Sequence, residues 1–172
     1  MEELVELVMT VPEPHNTHLV YQMECRTTLG VLVQLINNAE DRIIISAPFI
    51  QSNKDNVVSI IINAISLALQ RGVYVDFLST GSNIQEIKHN ILNLKNLKFF
   101  QTSANSYNEQ IIGSHAKFCV ADGKSAYIGS ANLTSPGLIG QLELGLLVHG
   151  GIAHKIEDFW DYLIELGLIV II

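Results

Sequence analysis

Ser114-His115-Ala116-Lys117-Phe118-Cys119-Val120-Ala121-Asp122-Gly123-Lys124-Ser125-Ala126-Tyr127-Ile128-Gly129-Ser130-Ala131-Asn132 carries most of the information in this 172-residue chain. Two apolar arms, Ala116 to Ala121 and Ser125 to Ile128, flank Asp122-Gly123, a dipeptide that accepts positive φ and so favours a tight hairpin. Side chains alternate along a strand, so His115 and Lys117 fall on one face of the first arm. Ser130 and Asn132, also two apart, lie at the end of the second arm or just beyond it. Folding the hairpin returns this second pair to the side of the first. One sheet edge then carries an imidazole, an ammonium, a hydroxyl and an amide.

Outward from the hairpin, helical and extended periods alternate. Leu29, Leu32, Val33, Ile36 and Ala39 recur at helical spacing, predicting a helix over Thr28 to Glu40. Arg42 to Phe49 is a short apolar run stopped by Pro48, and reads as a buried strand. Val58, Ile61, Ile62, Ile65 and Leu69 form the stripe of a second helix, with Gly72 just past its end. Val73 to Thr80 reads as a strand. Ser82 and Gln85 have capping-box spacing and open a helix to about Asn93. Leu97 to Thr102 is a further strand, and the polar stretch Ser103 to Gln110 is expected to be a mobile loop. After the hairpin, Leu142 to His149 reads as a strand. Ile152, Ile156, Phe159, Leu163 and Leu166 form the inner face of a closing helix ended by Gly167. The alternation predicts an α/β fold, a single α/β/α sandwich over residues 1–172 with a mixed, mostly parallel central sheet.

Composition narrows the function. Hydrophobic residues make up 48% of the chain and charged residues 16%, which excludes a disordered tail. The net charge of −7 is a poor match for gripping nucleic acid over a whole surface, so an anionic substrate must meet a local cationic pocket. Cys25 and Cys119 give no disulfide framework and no cysteine-based zinc site. The acidic N-terminus does not read as a signal peptide, and no apolar stretch is long enough to span a bilayer. A cytoplasmic protein without membrane insertion is expected.

The hairpin cluster suits phosphodiester chemistry. An imidazole nitrogen can attack phosphorus and form a covalent phosphoenzyme. A lysine and an asparagine amide can donate to the non-bridging oxygens as charge gathers there. The donor set calls for no metal and no cofactor. It lacks an acid on the far side of phosphorus to protonate the leaving oxygen, and the chain holds no second cluster of this kind. A homodimer that joins two copies of the motif is therefore expected.

The pattern His-x-Lys-x4-Asp-x6-Gly-Ser-x-Asn resembles the HKD motif of the phospholipase D superfamily, with His115, Lys117, Asp122, Gly129, Ser130 and Asn132 all in register. Glu143 matches the downstream acid of the family, and the likeness extends over most of Leu29 to Phe159. The resemblance implies that His115 is the nucleophile, that Lys117 and Asn132 bind phosphate with help from Ser130, and that Glu143 orients and charges the imidazole. Asp122 belongs to the motif and is counted with the catalytic set, although its place in the Asp-Gly turn favours a turn role. Two positions depart from the family pattern, Pro136 before Gly137 and Gln141 where many members carry Asn; both bear on neighbouring loops. Val11 to Thr17 and the single-motif architecture are similar to the phospholipase D-like component of DISARM-type anti-phage systems, which would imply defence-system partner proteins.

Three functions follow from the resemblance: a nuclease-like phosphodiesterase, a phospholipase, or a non-catalytic module that binds phosphate or nucleic acid. Arg26, Arg42, Lys54, Arg71, Lys88, Lys95, Lys98, Lys117 and Lys124 are the cations that could line a nucleic-acid cleft. Cys119 shares the strand parity of His115 but reads as apolar packing. Trp160 reads as packing behind a core-facing Phe159. His149 and His154 flank a Gly-Gly turn and read as capping or surface groups. His15 and His18 read as loop residues, and His89 as a surface helix position.

Overall fold

A computed structural model describes residues 4–51, 56–80, 84, 87, 91, 95–103 and 113–172. Its strands are β1 (Val5–Thr10), β2 (Arg26–Thr27), β3 (Arg42–Ser46), β4 (Tyr74–Leu78), β5 (Leu97–Thr102), β6 (Phe118–Ala121), β7 (Ser125–Gly129), β8 (Glu143–His149) and β9 (Ile169–Ile171). The helices are α1 (Asn16–Gln22), α2 (Thr28–Asn38), α3 (Asn56–Gln70) and α4 (Gly151–Glu165), with one π-helical turn at Pro136–Gly140. The strands form one sheet in the order β2-β1-β8-β7-β6-β3-β4-β5-β9.

Alternation along the strands divides the core in two. Ile43, Ile45, Val75, Phe77, Cys119, Tyr127 and Leu147 turn toward α2 and α3, where Ile36, Ile61, Ile65 and Leu69 complete one cluster. Ile44, Phe100, Phe118, Val120, Ala126 and Val148 turn the other way, onto Ala153 and Trp160 of α4. The sheet is therefore covered by helices on both faces, and the chain is an α/β protein with a large mixed sheet. Parallel pairing joins β3, β4 and β5 and the short β1–β2 contact, while the other five pairings are antiparallel. The parallel share is smaller than the mostly parallel sheet expected. Strands β3, β6, β7 and β8 pair antiparallel in succession, and β1 and β9 each add a further antiparallel pairing to a partner distant in sequence, β8 and β5.

The hairpin forms as expected. Asp122 and Gly123 have φ of +54° and +61°, the two positive values of a type I′ turn, and Lys124 N–H donates to Ala121 O at 3.0 Å. The expected helix from Ser82 to about Asn93 rests largely on positions outside the described residues, as do Lys54, Lys88, His89 and the expected loop beyond Ser103. Ile84, Ile87 and Ile91 are described, and all three are buried.

One expectation for α4 is overturned. Trp160 is fully buried, edge-on to Phe100 and Phe118 at 5.2 and 6.2 Å, whereas Phe159 is 52% exposed. Of the expected inner face, Ile152, Ile156 and Leu163 pack on the core, while Ala153 and Trp160 take the buried places that Phe159 and Leu166 do not fill. The Arg42 guanidinium donates to Asp76 of β4 and Asp161 of α4 and so ties this helix to the sheet. Burial alone would lower the Arg42 pKa, but these two carboxylates raise it further than burial lowers it.

Candidate active site

The cluster sits at the carboxyl ends of β3 and β4, where open α/β sheets place ligands. Antiparallel β6 begins there, since Phe118 is opposite Ser46, and the residues before it continue as an extended segment. Ser46 Oγ donates to Ala116 O at 2.9 Å and Gly129 N–H donates to Lys117 O at 3.1 Å, so this segment is held from both neighbouring strands. His115 is exposed, while Lys117 is buried, with 6% of its surface exposed. Their side chains meet: Lys117 Nζ lies 3.1 Å from His115 Nδ1 and donates to His115 O at 3.0 Å. His115 and Lys117 thus precede β6 where the sequence placed them on a strand, yet they come together as the spacing required.

Glu143, at the start of β8, is buried to the same degree, 6% exposed. Ser130 Oγ donates to one carboxylate oxygen and Gln141 Nε2 to the other. Ser130 Oγ further accepts Leu144 N–H at 3.1 Å. Burial lowers the Lys117 pKa, and the negative charge of Glu143 opposes that shift. The expected Glu143–His115 bond is absent from the hydrogen bonds among the described residues; the acid is engaged by Ser130 and Gln141. Gln141, read from the sequence only as a departure from the family pattern, is thus a direct partner of the acid.

Asn132 stands two residues past Ser130, half-buried, with its amide oxygen buried and unpartnered. Its loop is held by a Gln51 N–H donated to Leu133 O at 3.0 Å, and by Ser135 N–H donated to Gln51 Oε1 at 2.8 Å. A Cβ on Gly137 would overlap the Asn132 backbone. Gly129 and Gly145 are opposite each other in the β7–β8 ladder, and a Cβ on either would run into the Tyr127 ring. These glycines permit a close approach.

Asp122 is not brought to the cluster. It lies at the far end of β6, where its carboxylate accepts N–H bonds from Glu40, Asp41 and Arg42 at 3.0, 2.9 and 2.9 Å. Burial raises its pKa, but the N–H donors of Arg42, Glu40 and Asp41 outweigh that and hold it below the ordinary carboxylate value. The turn role is what this geometry provides.

Several further residues lie away from the site. Burial pushes the Cys119 thiol up to about 12, in keeping with apolar packing. His149 is joined to Ser125 Oγ at 2.7 Å, and His154 is an exposed residue of α4 near Asp158. His15 lies in the turn just before α1, in keeping with the loop expected, whereas His18 lies within the helix. Arg26 pairs with Glu6 and Gln34, Arg71 donates to the carbonyls of Ile36 and Ala39, and Lys124 faces Glu40. With Arg42 these four cations are engaged elsewhere and do not line the cluster.

The model of the family described as "Cardiolipin synthase, PLD-like domain" matches residues 32–163. The chain belongs to this phospholipase D-like family. Its curated relatives include the DISARM protein DrmC of Bacillus paralicheniformis, 27% identical over 94% of this chain. The alignment spans 62% of that relative's length, so the chain corresponds to about three fifths of it. Among solved structures it resembles Nuc of Salmonella typhimurium, a phospholipase D family member, with TM-score 0.69, 16% identity and 99% of both chains covered. NucT of Helicobacter pylori gives TM-score 0.72 and 17% identity, with 99% of this chain and all of that one covered. The phosphatidylserine synthase of Haemophilus influenzae gives 0.64 and 11%, over 99% of this chain and 40% of that one. At these identities the structural likenesses show the PLD-like fold. Among the described residues no helix is long and apolar enough to cross a membrane.

Proposed function

We propose that the chain is a metal-independent phosphodiesterase, nuclease-like in its substrate, acting through a covalent phosphohistidine on His115 at a site shared by two subunits. The observation that carries this reading is the contact of Lys117 Nζ with His115 Nδ1 beside the Ser130–Glu143 pair. A buried ammonium next to an exposed imidazole provides a nucleophile together with a charge for the phosphoryl oxygens.

The free arrangement also suggests how the site is held at rest. A charged Lys117 donating to Nδ1 leaves the imidazole proton on Nε2, where it blocks attack. An arriving phosphate draws Lys117 away and frees Nδ1 to hold the proton, so that the Nε2 lone pair can attack. The N–P bond forms as the P–O bond to the leaving group breaks, and the partner subunit's His115 protonates the departing oxygen. Water then attacks phosphorus, the N–P bond breaks, and a phosphomonoester is released.

The place for the partner is supported by an apolar strip on the α4 side of the sheet that α4 leaves uncovered. Leu142, Leu144 and Leu146 of the β8 segment and Ile128 of β7 are all exposed. Leu144 shares backbone bonds with Ser130, so the strip runs directly into the site. Exposed apolar area of this kind marks an interface, and a two-fold one would bring two motifs together. The likeness to DrmC favours a DISARM-type defence setting with partner proteins. Hydrolysis of bis-p-nitrophenyl phosphate in excess EDTA tests the chemistry. Turnover should persist with chelator and vanish in His115→Asn; loss with EDTA and recovery with a divalent ion would refute it.

A further inference from the structure

Ser130 and Gln141, which donate to the two oxygens of Glu143, are themselves exposed, so they hold this buried acid from its solvent side. A carboxylate has room for about four donors. Beneath this one lies a group of buried hydroxyls. Thr10 of β1 is directly opposite Glu143 in the β1–β8 ladder, so the two side chains share the α2 face of the sheet. Thr28, the first residue of α2, follows Thr27, which pairs with Met9 beside Thr10. The Tyr127 ring runs under Gly145, and its hydroxyl reaches Gly129, one residue before Ser130. Burial raises the Tyr127 pKa; the Thr28 hydroxyl and the Ala131 backbone pull against that shift, and the Glu143 charge adds to it. The phenol thus keeps its proton and has Thr28 and Glu143 as neighbours. Thr10 Oγ1, Thr28 Oγ1 and Tyr127 Oη are all buried, and none has a hydrogen-bond partner among the described residues. Buried hydroxyls are nearly always paired, with protein or with internal water, so three that converge beneath one carboxylate call for a common partner. The charge of Lys117 already answers that of Glu143, so a neutral partner fits better than a second cation.

We propose that Tyr127, Thr10 and Thr28 share an internal water that donates to Glu143 from beneath, which makes Tyr127 a positioning residue for the acid. The inference rests on the phosphodiesterase reading above and deepens it. The water accepts the phenol proton and one threonine hydroxyl, and donates to Glu143 and to the other threonine, four bonds in all. Every orphaned hydroxyl is then satisfied. The carboxylate is held on both sides, and its charge stays fixed beside Lys117 rather than swinging outward with Ser130 and Gln141.

Tyr127→Phe removes the hydroxyl and keeps the ring against Gly129 and Gly145. Were the hydroxyl only an unpaired buried group, its loss would leave the rate alone and stabilise the fold. As a positioning group, its loss should lower kcat on bis-p-nitrophenyl phosphate about 10-fold or more at unchanged KM, since a hydrogen bond to a charged group is worth that much. Thr10→Val should lower kcat in the same way, and Thr10→Ser, which restores the hydroxyl, should recover it. A second readout needs no turnover. In protein carrying isotope-labelled tyrosine, the Tyr127 hydroxyl proton, assigned by its disappearance in Tyr127→Phe, should exchange slowly in the NMR spectrum and shift in Glu143→Gln. A phenol proton that exchanges freely or ignores Glu143→Gln overturns the proposal, as does a Tyr127→Phe rate equal to wild type. A responsive phenol in a protein that turns over no diester removes the hydrolase reading and leaves the shared water standing; turnover with an unresponsive phenol does the reverse.

Discussion

Lys117 shows how function opposes stability at a single residue. Its ammonium is buried, burial lowers its pKa, and Glu143 restores only part of what desolvation takes away. A group whose folded pKa lies below its unfolded value lowers stability at neutral pH, and that penalty fades as pH rises toward the unfolded lysine value. Lys117→Met should therefore melt no lower than wild type, while its rate on a diester falls by about 10²–10³, the typical loss for one charge-stabilising donor. A melting curve and a rate on the same preparation check this pair of outcomes. Asp122 gives the opposite sign. Its folded pKa is depressed, so its contribution is complete above the unfolded carboxyl value and is lost as pH falls through the folded one. Asp122→Asn should lose about 2 kcal/mol at neutral pH, as three charge-assisted bonds weaken. The gap to wild type should narrow in denaturant titrations below the ordinary carboxylate range.

The hairpin is the element most legible in the sequence. Asp122-Gly123 specified its turn, and the spacing of His115 and Lys117 foretold their contact even though both precede β6. What could not be read is what lies across strands. The partners of Glu143 are Ser130 and Gln141, fixed by how β7 and β8 are aligned, and that register depends on Tyr127 lying against Gly129 and Gly145. Gly145→Ala should thus strain the Ser130–Glu143 end of the ladder. About 1–3 kcal/mol of overpacking is expected, seen as a lower melting temperature with a disproportionate loss of activity. Strands β1 and β9 escaped for another reason: their partners β8 and β5 lie far along the chain, so no local signal announces the pairing. In α4 the reading of Ile152, Ile156 and Leu163 held and that of Phe159 did not, because hydropathy ranks Phe159 with Trp160 and only packing decides which of them is buried.

At the scale of the whole molecule, the proposed in-line mechanism needs two copies of the site, and the exposed apolar strip beside it is where that proposal seats the second. Leu144→Asp should shift light scattering from dimer to monomer and remove turnover while the chain remains folded. In the proposed two-fold site one His115 attacks while the other protonates the leaving oxygen, so the pH–rate profile should be bell-shaped and belong to the pair. The most direct measurement is mass spectrometry of the protein quenched during turnover of bis-p-nitrophenyl phosphate in EDTA. A single phosphoryl adduct should map to the peptide containing His115 and be missing from His115→Asn, which should not turn over. Turnover that continues in His115→Asn, or an adduct on any other residue, would contradict a covalent phosphohistidine mechanism.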